Sequence, residues 1–336
     1  MAEIVLGIAS SHGPMLSTPP EKWGQRVEAD KAELHHAYRG STYSFDGLSR
    51  LRRSEGLEEQ IRPEVWQSRH SACQAAIANL AEVFHRANPD IAIIVGNDQM
   101  ELFTDANIPA FAMYWGETIL NHEPKRDPSK PRAPGLDVAM RGRIPEGGAE
   151  YPGHGELARH LILSAMRDGF DVAALKEFPQ LTQTVPHAYG FVYRQIMRDN
   201  VVPSVPVFTN TFYPPNQPTA QRCSELGYSL ARAIESWPGD ERVALIASGG
   251  LSHFVIDEEI DRLVIESIKD GDLSSLQALP ETHFQSGTSE IKNWIPVMAA
   301  MSQQGLRGKL VDYVPCYRSE AGTGNAMGFA YWSKEA

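Results

Sequence analysis

The chain has 336 residues, enough for one large α/β domain or two ordinary ones, and its 42% hydrophobic and 22% charged residues give the balance of a packed core under a polar surface. With 31 Lys and Arg against 42 Asp and Glu the formal charge is −11, which argues against nucleic acid or an anionic lipid surface as a partner and requires a local basic pocket for any anionic small molecule. No apolar run approaches the roughly 20 residues of a membrane-spanning helix, so no membrane partner is expected.

Residues 4–9 form a short apolar run closed by Ser10-Ser11-His12-Gly13-Pro14, which predicts a buried strand and a tight turn with His12 just past the strand's carboxyl end. Glu3 stands where a secretory leader carries positive charge, so a cytoplasmic protein is expected. Residues 29–63 are polar, lack a sustained period and read as a surface excursion with helical pieces. From His70 onward, Cys73, Ile77, Leu80 and Phe84 recur at spacings of three and four, one face of an amphipathic helix that Asn88-Pro89 ends. Residues 91–96 are apolar throughout, as in a strand covered on both faces, and run into Asn97-Asp98-Gln99. Strand, helix, strand points to a parallel crossover.

Between 121 and 155 the chain is crowded with Pro, Gly and charge, which predicts a long loop or lid. Residues 157–168 read as helix, 170–175 as strand and 187–197 as helix. Two buried strands, 205–209 and 243–247, flank an amphipathic helix at 222–237. Helices at 258–268 and 289–303 and a late strand at 310–317 complete the reading. Cys73, Cys223 and Cys316 are odd in number and far apart, with no Cys-x-x-Cys spacing, and are expected to be buried free thiols. The alternation predicts an α/β fold: a mixed, largely parallel sheet with helices on both faces, formed by a single domain over 1–336.

In such a sheet the site lies outside the carboxyl ends of the strands, which would gather His12, Asn97-Asp98-Gln99, Asn210 with Tyr213, and Ser252-His253 on one rim. No Gly-x-Ser-x-Gly elbow, phosphate-binding Gly-x-x-x-x-Gly-Lys loop or dinucleotide fingerprint accompanies them. What remains is histidine and carboxylate chemistry, suited to a divalent metal with open positions.

Five blocks in order carry a resemblance. They are Ser10-Ser11-His12-Gly13-Pro14-Met15-Leu16 with Ser17-Thr18-Pro19-Pro20; the strand 91–96 running into Asn97-Asp98; Val185-Pro186-His187-Ala188-Tyr189; Asn210-Thr211-Phe212-Tyr213-Pro214-Pro215 with Arg222-Cys223-Ser224-Glu225-Leu226-Gly227; and Gly249-Gly250-Leu251-Ser252-His253 with Ile256-Asp257-Glu258-Glu259. Over essentially the whole chain these resemble the class III extradiol ring-cleaving dioxygenases, the family of the protocatechuate 4,5-dioxygenase catalytic subunit and of gallate and 3-O-methylgallate dioxygenases.

The resemblance implies a non-haem Fe(II) held on one face by two histidines and a carboxylate, with open positions for a catecholate and O2. By position, His12 matches the first ligand and Glu259 the carboxylate. Where the family has Asn-Asp-His this chain has Asn97-Asp98-Gln99, so the third ligand is Gln99, Asp98 or a histidine from elsewhere, for which His70 is the candidate. His187 matches the acid/base histidine, able to take a phenolic proton and return one later; its bland reading is packing. His253 either holds a ligand or the substrate, or is a turn histidine. His154, after Tyr151-Pro152-Gly153, matches a Gly-His of the family and is expected in the pocket. Ser289 or Thr288, at a predicted helix start, suits a substrate carboxylate or merely caps. Tyr213 contacts the ring or packs in the core.

The expected function is therefore Fe(II)-dependent extradiol cleavage of a catechol-type aromatic acid, such as 3-O-methylgallate, gallate or protocatechuate, with that acid and O2 as partners and a homo-oligomer as the expected assembly. The alternatives are a metal-dependent hydrolase of a ring-cleavage product and a metal-binding relative without activity.

Overall fold

Four almost wholly apolar strands lie side by side and parallel at the centre of a nine-stranded sheet. The structure, a computed structural model, describes residues 1–123, 139–178 and 184–334. In chain order, β1 (Glu3–Ser10) passes through the 3-10 segments Pro14–Leu16 and Pro20–Arg26 to α1 (Val27–Ala32), the hairpin β2 (His36–Tyr38) and β3 (Ser41–Tyr43), and α2 (Phe45–Leu51). Next come α3 (Pro63–Ala87), β4 (Ile91–Gly96), β5 (Phe111–Tyr114), β6 (Thr118–Asn121), β7 (Ala149–Pro152), α4 (Gly155–Arg167) and β8 (Ala173–Leu175). A short α5 (His187–Phe191) continues as a π-helix, Val192–Ile196, before β9 (Ser204–Thr209), α6 (Ala220–Glu235), β10 (Arg242–Ser248), β11 (His253–Val255), α7 (Glu258–Asp270) and α8 (Ser274–Gln277). A 3-10 turn, Ser286–Glu290, leads into α9 (Ile291–Gln303), and β12 (Gly308–Tyr317) and β13 (Thr323–Trp332) close the fold.

The sheet runs β11-β13-β1-β10-β4-β9-β5-β8, with β12 on β13. Its centre β1-β10-β4-β9 is parallel, whereas β13 on β1 and β5 on β9 are antiparallel. The mixed, largely parallel α/β sheet expected from the pattern is the one observed. Side chains alternate across it. Ile93 and Val95 join the core under α4, α6, α7 and α9, while Ala92 and Ile94 join the core under α3 and the α5 segment. That two-sided burial is why the central strands read as unbroken apolar runs.

The register fixes the site. Ser10 pairs with Ser248, Ala247 with Val95, and Gly96 with Phe208, so the four central strands end level with one another. The chain leaves that edge at His12, Gly249-Gly250, Asn97 and Asn210.

The differences from expectation have physical causes. Helix α3 starts at Pro63, seven residues before His70, because proline at a first helical position is pre-set in φ and needs no hydrogen bond there. Residues 36–43 form a hairpin inside what reads as an excursion. Strands β5, β6, β7 and β13 carry too little pattern to be predicted: the first three have four residues each, and β13, ten residues buried on both faces, contains two glycines and Asn325. All three cysteines are buried free thiols, with Cys73 and Cys316 Sγ atoms 3.9 Å apart. Of the expected loop or lid at 121–155, residues 124–138 lie outside the described residues; Ala139, Met140, Gly142 and Arg143 form part of a cavity wall.

Candidate metal centre and its cavity

A cavity of about 380 Å³ opens at this edge, lined by His12, Gln99, Glu101, His187, His253 and Glu290 among polar groups and by Phe191, Phe254, Met140 and Met327 among apolar ones. It is large enough for a one-ring substrate. One ligand atom each from His12, His187 and Glu290 falls within 4.8 Å of the others, the single such triad of metal-binding side chains among the described residues.

His12 is fixed by its neighbour strand. Ser248 Oγ, at the end of β10, donates its one proton to Ala188 O at 2.7 Å and so accepts from His12 Nδ1–H at 2.9 Å. The Nε2 lone pair of His12 is left facing the cavity. His187, first residue of α5, is fixed in the same sense: the Glu101 carboxylate accepts from both its Nδ1–H and its backbone N–H, the latter at 3.0 Å, and Arg143 neutralises Glu101 from the other side. His187 Nε2 then lies 3.1 Å from His12 Nε2, and Glu290 Oε2 lies 3.3 Å from it. Two nitrogen lone pairs and a carboxylate oxygen turned on one point repel unless a cation sits among them. The residues present fit a divalent metal.

Electrostatics agree for His12 and Glu290, whereas at His187 burial is outweighed by Glu101, which raises the pKa above its ordinary value. Burial pushes the His12 pKa below its ordinary value, partly offset by Glu290, which favours the neutral ligand form. Burial alone would raise Glu290, but His12 and His253 outweigh it and hold the carboxyl well below its usual range, so it stays ionised. Glu290 is also held by Gln99 Nε2 at 2.8 Å and Asn97 Nδ2 at 3.1 Å on Oε1, and by Gly250 N at 2.8 Å on Oε2.

Two loops deliver these groups. After β4, the Asp98 carboxylate accepts the backbone N–H groups of Glu101, Leu102 and Phe103 at 2.8–3.1 Å, curling the chain around itself with Met100 at φ 55° and aiming Gln99 and Glu101 into the cavity. After β10, the Gly249-Gly250 turn is dictated by crowding: a Cβ on Gly250 would stand 2.4 Å from the His253 ring. His253 Nδ1–H donates to Leu251 O at 2.8 Å, leaving Nε2 3.7 Å from Glu290 Oε1.

The structure thus brings four predicted residues together: His12, Gln99, His187 and His253. Glu259 is a correction. It lies one position before Ile260, which α7 buries, so it turns outward, is 65% exposed and pairs with Arg39 at 3.0 Å. Glu290 stands beside His12 in its place. Gln99 donates its amide to Glu290, which makes it a support of that carboxylate, and Asp98 is spent on its loop. His70 is half buried with its ring edge toward Trp23, 6.2 Å between centroids, and does not line the cavity. His154 caps α4, its Nδ1 accepting from Leu157 N at 3.2 Å, and lies outside the cavity. Tyr213 lines a separate narrow crevice with Asp98 and Phe103. Ser289 is fully buried, and its hydroxyl has no hydrogen-bond partner among the described residues. Sequence reading missed Glu290, Glu101 and Arg143 as site residues; a signal for the first was present in Glu290 directly preceding the strongly apolar helix Ile291–Gln303.

The family profile described as the catalytic LigB subunit of aromatic ring-opening dioxygenase matches residues 57–324. The chain belongs to that family. Gallate dioxygenase of Pseudomonas putida is 37% identical over 109 residues, 32% of this chain and 30% of the relative, so the match spans under a third of that protein's length. A crystal structure of an uncharacterized protein, JW3007, from Escherichia coli K12 superposes with a TM-score of 0.45 at 13% identity, over 76% of this chain and 91% of that one.

Proposed function

We propose that this protein is a ring-cleaving dioxygenase of the extradiol type, holding Fe(II) on His12, His187 and Glu290 and opening a catechol-type aromatic acid with O2. The observation that carries the reading is the convergence of two histidine Nε2 lone pairs and an ionised, buried carboxylate at one point of an otherwise partly apolar cavity. A facial set of two histidines and one carboxylate is the donor set of non-haem iron oxygenases, and the bound metal supplies the redox partner that O2 needs.

The side chains divide the remaining work. Phe191 and Phe254 offer an aromatic ring apolar contact. His253, its Nδ1–H committed to Leu251 O, presents Nε2 to the cavity and is assigned the phenolic proton. His187, the acid/base residue by its motif, is assigned to the metal because Glu101 fixes its free nitrogen toward His12. Glu101 and Arg143 are positioning residues for it.

Anaerobic loading with Fe(II) followed by oxygen-electrode assays with protocatechuate, gallate and 3-O-methylgallate tests the reading. Equimolar uptake of O2 with loss of the aromatic absorbance is expected, abolished by chelation and restored by ferrous salt. Full turnover of the chelated protein would overturn it. Hydrolysis of a ring-cleavage product without O2 uptake would mean that the same triad serves a metal-activated water.

A further inference from the structure

Three arginines line the cavity, and their partners differ. Arg143 is neutralised by Glu101. Arg318 is neutralised by Asp30, whose Oδ2 accepts from Nε at 2.6 Å and whose Oδ1 accepts from Nη2 at 2.8 Å. Arg26, the last residue of the 3-10 helix Pro20–Arg26, lines the same cavity and makes no hydrogen bond or ion pair to any of the described residues.

Asp30, the carboxylate nearest to hand, is already spent. Besides Arg318 it accepts Thr323 Oγ1 at 2.7 Å, and Arg318 donates onward to Asn325 Oδ1 at 3.4 Å. Among the described residues Arg26 and Arg318 therefore share one carboxylate, an excess of one positive charge on this wall of a chain whose net charge is −11. Partial burial and the Arg318 charge hold Arg26 below the ordinary guanidinium range, only partly offset by Asp30. An unpartnered guanidinium in a half-buried setting is costly, and an anion entering the cavity would offset that cost.

We propose that Arg26 is the carboxylate anchor of the cavity, binding the acid group of an aromatic substrate through its planar fork and so selecting ring acids over neutral phenols. The inference rests on the ring-cleavage reading for the nature of the ring. The acid group itself follows from the unpaired charge, since a planar two-nitrogen face matches a carboxylate bidentately, whereas a neutral phenol leaves it unpaired.

The experiment is calorimetric titration of Fe(II)-loaded protein under argon with gallate and with pyrogallol, its decarboxylated counterpart, alongside O2 uptake in air. The parent is expected to favour gallate by about 10- to 100-fold, the worth of a charge-assisted pair. Arg26→Ala removes that preference by weakening gallate toward the affinity of pyrogallol, and Arg26→Lys restores part of it. Equal affinity of the parent for both ligands overturns the proposal, as does an Arg26→Ala variant that loses both equally or neither. A preference for gallate that vanishes in Arg26→Ala, without O2 uptake on any ring, upholds the anchor and rejects ring cleavage.

Discussion

A buried histidine can serve as a metal ligand once its other ring nitrogen is committed, and both commitments can be traced for the two histidines proposed to hold the metal. Ser248 takes Nδ1–H of His12 because its own proton is spent on Ala188 O, and Glu101 takes Nδ1–H of His187. Glu290 is held by three donors from two loops. From this follows a graded series of metal contents. Glu290→Ala should strip the metal, whereas Glu259→Ala, on an exposed residue, should leave it intact. Ser248→Ala and Gln99→Leu, which remove supports and no ligand, should weaken metal affinity by about 10- to 100-fold. Atomic absorption on dialysed variants measures all four. Metal at parental level in Glu290→Ala would move the carboxylate ligand elsewhere.

At the level of elements, the site depends on loops anchored by close packing behind them. Helix α9 fixes the Gly249-Gly250 turn, since Trp294 Nε1–H donates to Gly249 O at 2.8 Å, and α9 itself lies against α6 so closely that a Cβ on Gly227 would stand 2.1 Å from Pro296 O. Gly227→Ala should therefore destabilise the fold by about 1–3 kcal/mol, the usual cost of overpacking, and lower the thermal midpoint. An unchanged midpoint would mean that α6 and α9 separate without penalty. The same elements show what the sequence could disclose. The four central strands and the edge at which they end were legible because burial on both faces leaves an apolar run bounded by polar turns. The carboxylate was not. Glu259 and Glu290 each stand at the head of a helix that buries the following residue, Ile260 or Ile291, and only the packing reveals that the first turns to solvent while the second meets Gln99, Gly250 and His12. Arg26 was equally hidden, because its lack of a hydrogen-bond or ion-pair partner among the described residues is a fact of three dimensions.

For the whole molecule, stability depends in part on a proton held behind the β10–β11 turn. Asp261, fully buried in α7, accepts from Ser252 N at 2.7 Å, Ser252 Oγ at 2.6 Å and Tyr313 Oη at 2.8 Å, tying α7 to the β10–β11 turn and to β12. Burial lifts its pKa to about 7 against the pull of those hydrogen bonds. In the unfolded chain the group titrates near its ordinary value of about 4. Between about pH 4 and 7 the folded state thus binds a proton that the unfolded state does not, so stability from this group is present at low pH and declines as pH rises through that window, by up to about 1.4 kcal/mol per pH unit. Other groups titrate too, and the chain's net negative charge adds self-repulsion as pH rises, so the raw pH profile of the parent does not isolate Asp261. The difference between parent and Asp261→Asn does. Urea unfolding of both proteins at pH 5, 6, 7 and 8 should show the parent losing stability relative to the variant up to about pH 7 and running parallel to it above. A difference constant across the whole range would show that Asp261 is ionised in the folded protein throughout, its three hydrogen bonds outweighing its burial.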